Sequence, residues 1–339
     1  MKQYKVGILG CGRSAWELHG YLLRSHPRFL ITAAYDRDTA RAARYAQAFE
    51  AQACDTLEEF LHSGIDLAVI LTVSSVHAEL AVQCLEHGVH AFVTKPWALS
   101  TAEADAMIAA ANTNRVQVYE VLAQQFEEDL TTLQQLISSG AVGRVYRVRR
   151  SAATFGARSD WQTDKALGGG YLNNWGPHLF GQTVALLGEP VKSVCAETRR
   201  IVNGGDAEDM FTARLITQGN TILDVEYNIM TDVLPDWVVQ GDGGTIVARD
   251  HVIELYRVEQ PESLIEGVYR NRVRVELERT HFHPVDRRVI YDELAEALDG
   301  TKAYRVSPAF SRRVTRIIEA ARISAERGTI IPIIGTEET

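Results

Sequence analysis

The densest group of reactive side chains lies between Gly168 and His178, in the run Gly-Gly-Gly-Tyr-Leu-Asn-Asn-Trp-Gly-Pro-His. Consecutive glycines allow backbone angles that other residues avoid, and they leave room for a ligand to approach. A helix that begins near Leu172 would place Asn174 and His178 on one face, because they are four residues apart. An imidazole beside an amide is suited to proton transfer. The alternative is a glycine-rich turn that leads into a core helix.

A second glycine-rich turn follows the first predicted strand, Lys5 to Leu9, and precedes an amphipathic segment. Its spacing, G-x-G-x-x-A, is typical of proteins that hold a pyrophosphate at a helix N-terminus. Gly10 would form the tight turn, Gly12 would let phosphates approach the backbone, and Ala15 would allow close helix–strand packing. The residues of this turn that we expect to contact a dinucleotide are Gly10, Gly12, Arg13, Ser14 and Ala15.

The second predicted strand, Leu30 to Tyr35, ends at Asp36. A carboxylate at this place can accept hydrogen bonds from both hydroxyls of an adenosine ribose and repels a 2′-phosphate, which favours NAD over NADP. Arg37 follows, and its guanidinium could stack on adenine or meet a phosphate. As an alternative, Asp36 would cap the helix predicted over Thr39 to Phe49.

Strands and helices alternate through the first third of the chain, which predicts an N-terminal Rossmann domain with a doubly wound parallel sheet. Ligands of such sheets bind beyond the carboxyl ends of the strands. The residues predicted at those ends are Gly10, Asp36, Thr72 to Ser75, Thr94 to Pro96 and Glu120. Lys95 is a candidate functional residue because it is a lone cation that ends a buried strand, and the alternative is an ordinary surface lysine.

The remaining two-thirds contain many short strands separated by turns, which predicts a C-terminal α+β domain with a large open, mainly antiparallel sheet. An open sheet face is covered most simply by another subunit, so we expect a homodimer or homotetramer. Trp161 could pack against a sugar ring in a loop that also carries carboxylates. The alternative for Trp161, and equally for Trp175, is that the indole fills the core.

The length of 339 residues predicts two domains, which we place at residues 1–123 and 124–339. We expect the last helix to pack back toward the first domain. A formal net charge of −9 argues against general nucleic-acid binding. No apolar run is long enough to cross a bilayer, and the sequence shows no secretory signal. Four widely spaced cysteines are typical of reduced thiols, so we expect a cytoplasmic protein.

His281 and His283 are two residues apart, so on a strand they would share one face and could ligate a metal ion. Neither an acidic residue nor a cysteine accompanies them at a recognisable spacing. We therefore expect an exposed turn before the helix predicted over Asp286 to Leu298, and no metal site.

The chain resembles the Gfo/Idh/MocA family of nicotinamide-dependent oxidoreductases over nearly its whole length. The resemblance includes the N-terminal glycine turn, the strand that ends in Lys95-Pro96, the segment Gly140 to Gly143, the run Gly168 to His178, and the final helix. Members act mostly on sugars, polyols and related hydroxy compounds. They pair a Rossmann domain with a second domain whose large sheet often forms the subunit interface.

The family resemblance implies roles for particular residues. Its Glu-Lys-Pro motif corresponds to Thr94-Lys95-Pro96, which places Lys95 near the nicotinamide and the reacting carbon. Its histidine corresponds to His178, the implied acid/base, and its aspartate falls on Asn174, which supplies no charge. The family's Thr-Pro-x-x-x-His pattern near the cofactor is matched here, with valine for proline, and the residues implied for cofactor binding are Thr72, Ser74, His77, Thr94 and Lys95.

These observations predict an NAD-dependent oxidoreductase of a sugar, polyol or keto-sugar. Lys95, Asn174 and His178 are the predicted catalytic residues. The residues predicted to contact the substrate are Lys95, Trp161, Asn173, Asn174, Trp175 and His178. Two alternatives stay open, which are glycosidic bond cleavage through transient oxidation by a held cofactor, and a non-catalytic NAD-binding sensor.

Overall fold

The computed structural model describes residues 2–259, 266–267 and 274–333. The chain forms two compact units. The first comprises Met1–Ala123, Asp160–Pro177 and Asp286–Glu319, and the second comprises Gln124–Ser159, His178–Val285 and Ala320–Thr339. Two later segments therefore belong to the first unit together with the N-terminal third. The division into a cofactor domain and a substrate domain at residue 123 stays a prediction.

A six-stranded parallel sheet forms the centre of the first unit, with the strand order β3-β2-β1-β4-β5-β6. Its strands are β1 (Tyr4–Leu9), β2 (Phe29–Tyr35), β3 (Gln52–Ala53), β4 (Leu67–Ile70), β5 (His90–Thr94) and β6 (Val118–Val121). All four residues of β4 are buried, as expected of a central strand covered on both faces. The predicted doubly wound parallel sheet is confirmed.

Helices connect these strands, and several begin at the polar residue that caps them. The side chain of Asp38 accepts from the amides of Ala40 and Arg41, and Ser100 caps its helix by accepting from Glu103. The helix after the first glycine turn starts as a π-helix, Ala15–Gly20. The α-helices of this part are α1 (Tyr21–Ser25), α2 (Thr39–Phe49), α3 (Leu57–Leu61), α4 (His77–Glu86) and α5 (Thr101–Asn114).

The second unit contains a nine-stranded sheet with the order β14-β13-β12-β11-β7-β10-β9-β8-β15. β7 and β10 are parallel, whereas the other neighbours pair antiparallel. The strands are β7 (Val145–Thr154), β8 (Val191–Arg199), β9 (Met210–Thr217), β10 (Ile222–Ile229), β11 (Trp237–Gly241), β12 (Gly244–Arg249), β13 (Val252–Glu259), β14 (Arg274–His281) and β15 (Ile331–Pro332). The predicted large, mainly antiparallel sheet is confirmed.

The later helices are α6 (Glu128–Ser138), α7 (Tyr171–Asn174), α8 (Gly176–Leu187), α9 (Arg288–Leu298) and α10 (Pro308–Arg327). The expected single helix from Leu172 through His178 is interrupted, because α7 ends at Asn174 and α8 begins at Gly176. Pro177 explains the interruption, since it has no N–H to donate to residue 173 and its ring would clash with that carbonyl.

β14 was not expected from the sequence, and it corrects the interpretation of His281 as part of a turn. Four of its eight residues are Arg or Glu, and Val275 and Leu277 are exposed. It is an edge strand of its sheet, and charged side chains are typical of edges, so the segment lacks the high apolar content that marks an interior strand in the sequence.

Candidate functional site

The first glycine turn has the geometry that a phosphate-binding turn requires. Gly10 has φ +97°, and a Cβ there would lie 2.8 Å from the carbonyl carbon of Leu71, so the position admits only glycine. A Cβ on Gly12 would meet nothing within 4 Å, so the backbone there faces open space. Ala15 is fully buried. These residues fit a pyrophosphate that lies against Gly12 at the start of the helix.

Asp36 connects the end of β2 to this turn. Its Oδ2 accepts from the amide of Cys11 at 2.8 Å, and its Oδ1 accepts from the amide of Asp38 at 2.9 Å. The carboxylate is therefore held in place, and each oxygen has a further lone pair for a ribose hydroxyl. The alternative that Asp36 caps α2 is wrong, because Asp38 caps that helix.

The charged neighbours of this turn lie at the surface. Arg13 is exposed and donates to Glu17 at 2.9 Å, one turn later on the helix. Arg37 is exposed, and Ser14 is half-buried. The structure thus places the five candidate residues of the glycine turn together with Asp36 and Arg37 at the carboxyl ends of β1 and β2.

His77 lies buried at the start of α4 and joins two strand ends. Its Nδ1 lies 2.7 Å from the carbonyl oxygen of Pro96, and its Nε2 lies 3.1 Å from that of Thr72. Burial lowers the pKa of His77, and the charge of Lys95 lowers it further. The geometry gives His77 a positioning role, because it holds the residues after β4 against those after β5.

Lys95 follows β5, and its peptide bond to Pro96 is cis. Its Nζ donates to the main-chain oxygen of Asn174 at 2.7 Å, and it also donates to the side-chain Oδ1 of the same residue. Both residues belong to the first unit. The two residues that sequence analysis placed at the centre of the chemistry therefore lie in direct contact.

The glycine run that precedes Asn174 is packed against the end of β4. Gly168 has φ +77°, and a Cβ there would lie 2.8 Å from the Cβ of Ser74 and 2.9 Å from the amide of Ser75. The amide group of Asn173 donates to the carbonyls of Gly168 and Gly169. This gives the Asn173 amide a structural use, which the sequence had not indicated. This close packing lies on the same segment as Asn174, the residue that accepts from Lys95.

Glu120 is a residue of this region that sequence analysis noted only as a strand end. It lies in β6 opposite Val93 of β5 and is 2% exposed. Burial raises the pKa of its carboxyl to about 7, while the Ser311 hydroxyl, the Trp97 amide and the Lys95 charge oppose that rise. A carboxylic acid in an apolar strand was the available signal, because such a residue is almost never fully buried without a reason.

His178 lies on α8, is buried, and belongs to the second unit. One turn later on α8, Gln182 accepts from Nε of Arg150 at 3.0 Å and donates to the carbonyl of Gln124 at 2.9 Å. These contacts fix the helix that carries the imidazole. The structure therefore joins Lys95 to Asn174 within one unit and places His178 in the other, and the cooperation of His178 with Lys95 stays a prediction.

The two candidate tryptophans, Trp161 and Trp175, are both half-buried. Trp161 begins a short 3-10 helix capped by Asp160, and Trp175 follows the last residue of α7. Partial exposure is compatible with either of the roles weighed from the sequence.

His281 ends β14, and the amide of His283 donates to Glu128 at 2.6 Å. Across the described ranges, no three histidine, cysteine, aspartate or glutamate side chains are grouped as metal ligands would be. The same ranges contain no helix long and apolar enough to cross a lipid bilayer.

Two family models match the chain. Residues 4–121 match the oxidoreductase family with an NAD-binding Rossmann fold, and residues 130–247 match the GFO/IDH/MocA C-terminal domain. The first match spans β1 to β6 of the parallel sheet, and the second spans β7 to β11 of the nine-stranded sheet.

Two similar proteins of Bacillus subtilis (strain 168) are named scyllo-inositol 2-dehydrogenase (NADP(+)). IolW is 28% identical over 61% of this chain and 58% of its own length, so the match spans little more than half of that relative. IolU is 30% identical over 65% of this chain and 68% of its own length. An NAD-binding protein from Listeria innocua superposes with a TM-score of 0.86 and 22% identity, covering 98% of this chain and 97% of the other, which shows the same fold.

Proposed function

The chain belongs to the Gfo/Idh/MocA family of oxidoreductases, and we propose that it is an NAD-dependent dehydrogenase of a sugar, polyol or keto-sugar. The observation that carries this proposal is the contact of Lys95 with Asn174 at the carboxyl end of β5. Ligands of parallel sheets bind at this edge, and the glycine turn lies at the same edge. The names of IolW and IolU support a cyclic polyol as the first substrate to test.

We assign the chemistry to residues of this chain as follows. When bound, NAD supplies the nicotinamide carbon that accepts or returns the hydride. Lys95 donates a hydrogen bond to the reacting oxygen, and Asn174 holds the ammonium group in place. His178 takes the hydroxyl proton during oxidation and returns it during reduction. Trp161, Asn173 and Trp175 remain proposed substrate-side residues.

The preference for NAD over NADP rests on Asp36. Its carboxylate is fixed by two backbone amides and would lie where a 2′-phosphate must go. Close contact between two negative groups is unfavourable, so the phosphorylated cofactor would bind less well. The remaining cofactor contacts are proposed at Gly10, Gly12, Arg13, Ser14, Ala15, Arg37, Thr72, Ser74, His77, Thr94 and Lys95.

We also propose that the protein is cytoplasmic and pairs with further copies through the open face of its nine-stranded sheet. All four cysteines are free thiols, as expected in a reducing compartment. Arg147 on β7 and Arg214 on β9 both form ion pairs with Asp224 on β10, which lies between those strands. Part of this sheet is therefore lined by ion pairs. Light scattering of the purified protein would give the number of subunits.

The test of the function is turnover. Purified protein is incubated with NAD or NADP and scyllo-inositol, other polyols, sugars or sugar acids, and NADH or NADPH is followed by absorbance. Keto-sugars with reduced cofactor test the opposite direction. We expect the His178→Ala and Lys95→Ala variants each to lose at least about a hundredfold in turnover.

Near-normal turnover in both variants would contradict the residue assignment. NAD binding without turnover of any compound in the panel would favour the sensor alternative instead. Sugar release from a glycoside without net NADH formation would favour cleavage through transient oxidation.

A further inference from the structure

Two of the residues next to Lys95 are neutral. Thr94 precedes Lys95 in the chain, and Asn174 is its partner in the contact described above. The amide oxygens of Asn174 accept hydrogen bonds but carry no net charge. A half-buried ammonium group is favoured by a nearby negative charge, so a carboxylate on another element would be effective here.

Glu120 lies in the right place to supply that charge. It stands in β6, opposite Val93, two residues before Lys95 along the paired strand β5. The residue is 2% exposed, and the positive charge of Lys95 acts on its carboxyl. Within the ranges that the structure describes, its Oε2 has no hydrogen-bond partner, so that oxygen is not committed to a structural contact.

The segment after Lys95 is also fixed on the side of Glu120. The Trp97 amide contacts the Glu120 carboxyl, and the Trp97 indole donates to the hydroxyl of Thr315 on α10 at 2.9 Å. Trp97 is 1% exposed. The carboxyl and the start of the segment that carries Lys95 therefore hold a fixed relation to each other.

We infer that Glu120 is a positioning residue for Lys95. Once ionised, the buried carboxyl of Glu120 supplies from β6 a negative charge that Thr94 and Asn174 do not carry. The inference rests on the proposed function, in which Lys95 donates to the reacting oxygen. It means that the charge state of the reacting site depends on a group outside the motifs that mark the site in the sequence.

The coupling between the two residues has a definite direction. Burial raises the pKa of Glu120 to about 7, and the positive charge of Lys95 acts to lower it. Among the described residues, the phenol of Tyr304 also interacts with the carboxyl, and it stays neutral because burial raises its pKa well above the usual value. Removing the charge of Lys95 must therefore raise the pKa of Glu120.

Carbon NMR of protein labelled with carboxyl-13C glutamate measures this coupling without any substrate. The signal of Glu120 is the one that is lost in Glu120→Gln. We expect it to titrate near pH 7 in the unmodified protein and at a higher pH in Lys95→Met. Lys95→Arg keeps the charge and should leave the midpoint close to that of the unmodified protein.

Lys5→Met is the matched control, because Lys5 is exposed near the amino end of β1, which β4 and β5 separate from β6, and it should leave the midpoint unchanged. If Lys95→Met does not fold, Lys95→Gln gives the same comparison. An unchanged midpoint in a folded, uncharged Lys95 variant would overturn the inference. Absence of turnover would contradict the proposed function but would leave this coupling measurable, so the two failures are distinct.

Discussion

Lys95 and Asn174 are 79 residues apart in the sequence, and the ammonium group of one donates to both the main-chain and the side-chain oxygen of the other. A main-chain acceptor survives any substitution of Asn174, whereas the side-chain acceptor does not. Substitutions of Asn174 therefore separate the main-chain and the side-chain contributions of this residue to holding Lys95.

Replacing Asn174 with alanine tests the side-chain contribution. We expect Asn174→Ala to lower kcat about tenfold, because one hydrogen bond to a charged group is lost while the main-chain contact remains. Asn174→Asp keeps an acceptor, adds a charge, and should retain more activity than the alanine variant. Steady-state kinetics with the substrate found in the panel measure both, with Asn112→Ala on the exposed face of α5 as the control. Equal loss in the alanine and aspartate variants would contradict this role.

The two glycines of the first turn should respond differently to alanine. Gly10→Ala should destabilise the fold by about 2 kcal/mol or more, because the φ of +97° is strained for alanine and the new Cβ would meet Leu71. Gly12→Ala meets nothing in the protein, so the free energy of unfolding should change by no more than about 0.5 kcal/mol. Urea unfolding of both variants measures this difference.

Cofactor affinity should show the complementary result for Gly12→Ala. The added methyl group occupies the space that we assign to the pyrophosphate, so we expect NAD to bind at least about tenfold more weakly. Titration of NAD against protein fluorescence gives the dissociation constant. Unaltered affinity would place the phosphates elsewhere.

Asp36 should determine the choice between the two nicotinamide cofactors. In Asp36→Asn we expect NAD affinity to fall about tenfold, because hydrogen bonds from the ribose to a charged group are replaced by weaker ones. The affinity for NADP should fall less or rise, since the repulsion of the 2′-phosphate is removed. Asp38→Asn is the control, because Asp38 caps α2. A protein that already prefers NADP would refute this assignment.

Glu120 should make the stability of the fold depend on pH. Its pKa is about 7 in the folded protein and 4.5 for an unperturbed glutamate, so the folded state holds the proton more strongly. The contribution to stability is complete below the unfolded pKa and is lost as the pH rises through the folded pKa. Between pH 5 and pH 8 we expect the unmodified protein to lose roughly 2 kcal/mol relative to Glu120→Gln.

Urea unfolding of both proteins at the two pH values measures that difference. Glu79→Gln, a substitution on the exposed part of α4, should follow the unmodified protein. If Glu120→Gln also follows the unmodified protein, then Glu120 is not the titrating group.

The sequence by itself determined most strands of the two sheets and the first glycine turn. The buried run of β4, the G-x-G-x-x-A spacing and the position of Asp36 after β2 are local patterns, and local patterns are set by side-chain periodicity and turn chemistry. Strands that alternate with helices leave a parallel sheet as the natural arrangement, so the edge that binds ligands could also be predicted.

Only the tertiary structure decided which residues meet at that edge. Glu120 reaches the surroundings of Lys95 because β5 and β6 are neighbours in register, and strand order is not encoded in any one segment. Asn174 meets Lys95 across 79 residues of chain, and Gly168 on the same segment as Asn174 packs closely against Ser74, so two distant loops must fit together. Such contacts depend on the summed packing of the whole unit, so the spacing of residues along the chain could not reveal them.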